Sequence, residues 1–409
     1  MMSICDVAIV GAGPYGLSLA AHLGAAGVSF RIFGKPMQFW QEHVPPRTFL
    51  KSDGNSSDLI DPAAALRVSA YYTERDGSFT LRKPIAVEAF ADYGHTFQKR
   101  FVPGLDTRNI AGIAQNGDAY RLITVDGESF SARRVVLAVG INDFRFMPDM
   151  FARLGRQFVS HSAAFGPVDK LAGRRVAVIG SGASAIDVAA TAHEAGADVT
   201  ILSSREKIVF HPPPAEPKWH DRFLHPDTGI GAGWSKWLYV NGPDAFRLLP
   251  ARIRMSIVSR ALGPSPGWFM KDRIEGHVPV LSRRVPTGAT IVAGRVKIDM
   301  PEGPFVADHV VTATGFHVDM NRLAFIDPAM RAAIRTFQGA PVLSWNFQTS
   351  VPGLYVTGPA AAFDFGPVMR FVYGAGFAIP RLAAHLIRVA DRGAQTVPAL
   401  QAAELAPAG

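Results

Sequence analysis

The stretch VAIVGAGPYGLSLAAHLGAAG, Val7 to Gly27, decides the fold. Val7 to Val10 are apolar enough for a buried strand, Leu17 to Ala26 carry a helical period, and Gly27 stops the helix. Val28 to Phe33 then read as a second, parallel strand, which makes the whole a βαβ unit. The glycines of the turn act in different ways, since Gly11 permits the bend, Gly13 lets a pyrophosphate approach the backbone, and Gly16 allows close packing of helix on strand. Pro14 suits the first helical position, where its missing N–H costs nothing. The free amides and positive dipole end of such a helix attract phosphate.

The design returns at Val176 as VAVIGSGASAIDVAATAHEAG, with Gly180, Gly182 and, in third place, Ala185. Ala183 and Ser184 open its helix and join the candidate cofactor-binding residues. Its second strand, Val199 to Leu202, runs into Ser203, Ser204 and Arg205, and an arginine at that strand end accommodates a 2′-phosphate. This favours NADPH over NADH. In the first unit the carboxylate expected for the ribose is missing, because the strand ends Phe33-Gly34-Lys35. Ribose recognition there falls to backbone or another side chain, with Lys35 directed at phosphate. Two dinucleotide sites in one chain suit a hydride carrier paired with a flavin, so FAD is assigned to the first site and NADPH to the second.

Composition narrows the alternatives. The 409 residues, 48% hydrophobic and 19% charged, suffice for two or three well-buried domains. No basic leader precedes Val7 and no uncharged run reaches the roughly 20 residues of a membrane span, which leads to an expected cytoplasmic location. Cys5 is the only cysteine, which excludes an internal disulfide, a CxxC redox pair and a cysteine zinc site. The net charge of +8 favours anionic partners, but the basic residues are scattered rather than gathered into a nucleic-acid arm. The histidines are likewise dispersed, and no metal cluster, Ser-His-Asp order or close carboxylate pair stands out.

The motif order resembles that of two-dinucleotide-binding flavoproteins, and within them the class B flavin monooxygenases, which include flavin-containing monooxygenases and amine N-hydroxylases. FVSHSAAF, ahead of the second glycine turn, resembles that group's His-Ser stretch, with His161 and Phe165 at the matching positions. VVLAVG, ending at Gly140, and Ala313-Thr314-Gly315 resemble the elements that bracket an inserted domain. VPGLYVTGPAAAFDFG resembles the segment closing over the flavin, which implies Gly358, Phe365 and Met369 near the cofactor. RTFLKSDGNSSDL resembles the active-site segment of the N-hydroxylases; it implies that Lys51 meets a substrate carboxylate or the cofactor, with Asp53 and Asn55 near the reacting oxygen. Trp40 matches an aromatic in the loop after the second FAD strand, with packing as the equal alternative.

The resemblance implies an α/β fold of two Rossmann-like dinucleotide-binding domains, the NADPH domain inserted into the FAD domain. Expected boundaries are 1–150 and 291–409 for the FAD domain and 151–290 for the insert, with a helical insertion at 209–276 covering the cleft. In the implied reaction NADPH reduces FAD, the reduced flavin captures dioxygen as a (hydro)peroxide, and a small-molecule amine nitrogen or sulfur attacks it. His161 is implied as a cofactor or hinge residue. Two other readings remain open: a reductase passing electrons to a ferredoxin-like partner or quinone, and a non-catalytic redox sensor. The segment RIRMSIVSRAL reads first as a helix packed on its own domain and second as a membrane-surface contact. Oligomeric state is not legible.

Overall fold

The computed structural model describes residues 4–52, 54–79, 84–164, 166–213, 224–261, 263 and 265–404, with side chains as far as Asp391 except that of Asn55. Asp53 and Phe165 lie outside the described residues. Both glycine-rich units fold as expected. β1 (Cys5–Val10) leads into the helix Pro14–Ala25 and on to β2 (Phe30–Phe33), which lies parallel to β1. Val7, Ala8 and Ile9 are fully buried beneath Leu17, Ala20 and Leu23 of the helix. An uninterrupted apolar run is what a parallel strand covered on both faces requires.

The first sheet has the order β2-β1-β5-β4-β3, where β3 is Ile110–Asn116, β4 Ala119–Thr124 and β5 Ser129–Leu137. The far edge of β5 is shared: β4 pairs antiparallel along Ser129–Ala132, and β16 (Leu354–Val356) pairs parallel along Val135–Leu137. Strands β1, β2, β5 and β16 therefore finish side by side at Val10, Phe33, Leu137 and Val356. Ligands bind at such carboxyl ends in open α/β sheets. The final helix, Ala375–Glu404, covers the first glycine-turn helix with buried Ile379, Leu382 and Leu386.

The second sheet has the order β6-β13-β7-β8-β9, all parallel, from β6 (Val159–His161), β7 (Arg175–Ile179), β8 (Asp198–Leu202), β9 (Val280–Leu281) and β13 (His309–Thr312). The helix Ala183–Glu194 crosses from β7 to β8. An antiparallel layer, β10 (Gly288–Val292), β11 (Arg295–Asp299) and β12 (Phe305–Ala307), packs Val296, Ile298 and Ala307 on Ala177, Ile179 and Leu202 of this sheet. The second sheet thus includes residues as far along the chain as Thr312. The reason is β13, which fills the gap between β6 and β7 and has no place in the first sheet.

Within the expected insertion stand the helices Trp234–Asn241, Pro243–Arg247 and Ala251–Arg260. They pack on the first domain rather than on their own. Asp364, 1% exposed on its side chain, accepts from Arg254, and Arg370 donates to the carbonyls of Val258 and Ala261 at 3.1 Å. Phe246 is buried against Gly366, and Asp244 pairs with Arg381 of the final helix. A buried carboxylate demands cations, and the helical segment supplies them. A small hairpin, β14 (Thr336–Phe337) with β15 (Ala340–Pro341), completes the strands.

Candidate functional site

A cleft of about 430 Å³ opens at the carboxyl ends of β1, β2 and β5. Gly11, Gly13, Pro14, Lys35, Trp40, Gly140 and Gly358, all expected at the cofactor, line it. The glycines differ in what holds them. Gly11 has φ +112°, and a Cβ there would sit 2.3 Å from the Ala138 carbonyl oxygen. At Gly16 a Cβ would stand 1.9 Å from the Gly11 oxygen, so helix and strand close only without one. Gly13 is different: its φ of −83° suits any residue, and the nearest neighbour of a Cβ is Trp40 at 3.9 Å. The fold does not need a glycine at that position, whereas a ligand lying against the backbone does.

The cleft fits a dinucleotide in other respects. The helix Pro14–Ala25 has no side-chain cap, so its first amides are available to an anion. Asn142 Oδ1 and Thr357 Oγ1 are buried without a hydrogen-bond partner, Asn142 on the cleft wall and Thr357 just before Gly358. Buried polar atoms ordinarily have partners, and a polar cofactor would provide them. Gly34 explains the missing carboxylate, because its φ of +116° is a conformation that L side chains rarely adopt. Gln38 and Asn109 flank it in the lining and offer amide groups for a ribose. Lys35 is paired with Glu42 at 2.9 Å, which draws the Glu42 carboxyl below its usual range, after the larger effect of Gln38.

Phe365 and Met369 stand elsewhere than expected. Both are fully buried in the first core, Phe365 stacked on Phe347 at 4.2 Å, and neither lines the cleft. Arg370, Phe371 and Val372 form the wall there instead. The apolar character of Phe365 and Met369 serves the core, and Tyr15 fixes the segment by donating to the carbonyls of Met369 and Phe371.

The second glycine turn repeats the construction of the first. Gly180 has φ +132°, with a Cβ position 2.7 Å from the Ala313 oxygen. Gly182 caps a helix that again lacks a side-chain cap and begins at Ala183, with Ser184 partly exposed. Arg205 is exposed beyond β8, as expected, and β9 brings two further arginines beside it. Arg283 N–H donates to the Arg205 carbonyl at 3.2 Å and Arg284 N–H to that of Ser203 at 2.8 Å. These two were invisible in the sequence because some 80 residues separate them from Arg205, a distance bridged by the β8–β9 pairing.

Between the two turns lies a contact zone built by Lys51 and His161. Lys51 Nζ donates to Asp187 Oδ1 at 2.8 Å, joining the first domain to the helix Ala183–Glu194. Burial pushes the Asp187 carboxyl up, opposed by the Lys51 charge. Arg273 grips Glu194 at 2.6 and 2.9 Å and reaches the Arg47 carbonyl at 2.8 Å. His161 is buried, with Nδ1 accepting from Ala163 N–H at 3.1 Å and Nε2 bonded to the Gly315 carbonyl at 3.0 Å. That pattern requires a neutral ring with its proton on Nε2. Burial accordingly draws its pKa down to about 4. Thr314 donates to the Phe146 carbonyl, so the two chain crossings between domains are tied together at Gly315.

Among the described residues no group of three His, Cys, Asp or Glu side chains is placed to hold a metal, and no helix is long and apolar enough to cross a membrane. The fold and its two glycine turns define a protein of the two-dinucleotide-domain α/β class. A model of the pyridine nucleotide-disulphide oxidoreductase family matches residues 8–219, and the chain belongs to that family. It is 24% identical over 221 residues to a ferredoxin–NADP reductase of Thermus thermophilus, covering 50% of this chain and 55% of that one. The chain thus spans about half the length of that relative. It is 26% identical over 313 residues to the indole-3-pyruvate monooxygenase YUCCA8 of Oryza sativa, covering 72% of this chain and 68% of that one. In structure it is similar to the ornithine hydroxylase PvdA of Pseudomonas aeruginosa, with a TM-score of 0.74 at 15% identity over 94% of this chain and 99% of that one.

Proposed function

We propose that this chain is an FAD- and NADPH-dependent monooxygenase that transfers one atom of dioxygen to an amine nitrogen of a small molecule. The observation that carries the reading is the presence of two uncapped strand–turn–helix cradles in one chain, the first with a glycine, Gly13, that neither its φ nor its packing requires. Its sole cysteine is buried at the opposite end of β1 from the turn, so no dithiol relays electrons. The flavin, when bound, would accept one hydride, an electron pair with a proton, and react with dioxygen. The chain's own residues position and enclose. The turn Gly11–Gly16 holds pyrophosphate, Asn142 and Thr357 meet the buried part of the cofactor, and Arg205 faces the 2′-phosphate, while the Arg283 guanidinium beside it is paired with Glu206 at 2.8 Å.

His161 stays neutral and fixes Gly315 beside Ala163. No protein acid or nucleophile is needed, because a free amine attacks with its own lone pair. Asp53 and Asn55, close after Lys51 in the sequence, are proposed to face the substrate. A second reading, a reductase handing electrons to a ferredoxin-like partner or quinone, draws support from the Thermus relative. Protein reconstituted with FAD and given NADPH in air with a panel of diamines and amino acids separates the two. Hydroxylamine formed in step with NADPH consumption supports oxygenation; anaerobic reduction of ferredoxin or quinone with no hydroxylamine from any amine refutes it.

A further inference from the structure

The helical segment 224–261 carries several large apolar side chains that are exposed. Trp234, Trp237 and Leu238 are exposed at i, i+3 and i+4 of one helix, and Leu248, Leu249 and Ile253 are exposed on the turn and helix that follow. Leu248 is 74% and Leu238 57% accessible. The segment is not loosely held: Val240 and Val258 pack against the first core, and ion pairs to Asp364 and Arg381 anchor it. An anchored element that leaves Trp237, Leu238, Leu248, Leu249 and Ile253 exposed marks a contact surface.

Charge identifies the occupant. Residues 224–261 contain five Lys or Arg and two Asp, in a chain of net charge +8. Lys236, Arg252 and Arg260 interleave with the apolar residues, and no salt bridge engages them among the described residues. Two copies of this face would bring like charges together. An anionic surface of hydrocarbon depth satisfies both halves of the pattern, since indole rings favour the headgroup level and lysine and arginine favour acidic lipid. We propose that this face docks on the surface of an anionic phospholipid bilayer without crossing it. The helix Trp234–Asn241 packs against the turn Pro367–Arg370, so docking sets the wall of the cofactor cleft beside the lipid.

Co-sedimentation of the full-length protein with vesicles of phosphatidylcholine, alone or with about one-third phosphatidylglycerol, tests this directly. The expected result is pelleting with the acidic vesicles only, weakened by salt, with a blue shift of tryptophan emission. The variant Trp237→Ser/Leu238→Ser/Leu248→Ser removes exposed groups alone and should bind at least about tenfold more weakly at unchanged melting temperature. Lys236→Glu/Arg252→Glu should abolish the lipid preference independently. Equal pelleting of both variants and wild type, or no pelleting with either vesicle, overturns the proposal. So does a wild-type oligomer that the serine variant dissociates while lipid binds neither, since the face would then join subunits.

Discussion

Three glycines in six residues test the account at the scale of single atoms, because they are glycine for different reasons. At Gly16 a side chain meets backbone at 1.9 Å, and at Gly11 backbone and φ both forbid one. Gly16→Ala should therefore lower the melting temperature of the protein even without cofactor, by several degrees. Gly13→Ala should leave the apoprotein melting temperature within a degree or so of wild type, while weakening FAD binding by about a hundredfold, as read by fluorescence titration. If Gly13→Ala binds FAD normally, nothing approaches the backbone there. His161 supplies a pH prediction. Its folded pKa of about 4 lies below its ordinary 6.5, so the unfolded chain binds the extra proton between those values. The contribution is complete above pH 6.5 and declines as pH falls towards 4. His309, buried and also shifted down, adds to the same slope. Melting temperature followed from pH 7 to pH 4 should drop less steeply in His161→Asn than in wild type, from a lower starting value. An equal slope would mean that His161 titrates normally.

At the scale of elements, the zone between the loop 47–51 and the helix Ala183–Glu194 carries the coupling of the two domains. Lys51→Met strands the buried Asp187 carboxylate, a change that typically costs about 3–5 kcal/mol. Lys51→Met/Asp187→Leu should recover much of that loss, as measured by denaturant unfolding. The kinetic signature separates a strut from a substrate ligand. If Lys51 holds the nucleotide helix in place, Lys51→Met raises KM for NADPH several-fold and treats amines with and without a carboxylate alike. A KM increase confined to carboxylate-bearing amines would return Lys51 to the substrate. The sequence pattern led to Lys51 but could not reveal Asp187 as its partner, because a pair separated by 136 positions is made by domain packing. Strand ends and helix starts were legible to within a few residues, since apolar runs and glycines act locally. Phe365 and Met369 lie in the core rather than on the cleft wall, and an aromatic or thioether near a turn reads the same whether it faces a ligand or the core.

At the scale of the molecule, the order of motifs disclosed two Rossmann-like units in one chain, and both fold as parallel sheets crossed by a helix. What was not legible was ownership. β13 belongs to the second sheet although it lies past the expected boundary, and the helices of 234–260 belong by packing to the first domain although the chain reaches them from the second. Strand pairing and buried Asp364 decide both matters, and neither leaves a local mark. The central claim is oxygen transfer, and isotope labelling tests it most directly. With FAD-loaded protein, NADPH and an accepted amine under ¹⁸O₂, mass spectrometry should find one ¹⁸O atom per molecule of hydroxylated product and none when ¹⁸O is supplied as water. Unlabelled product, or NADPH consumed with every electron recovered as hydrogen peroxide for all amines tried, would contradict it.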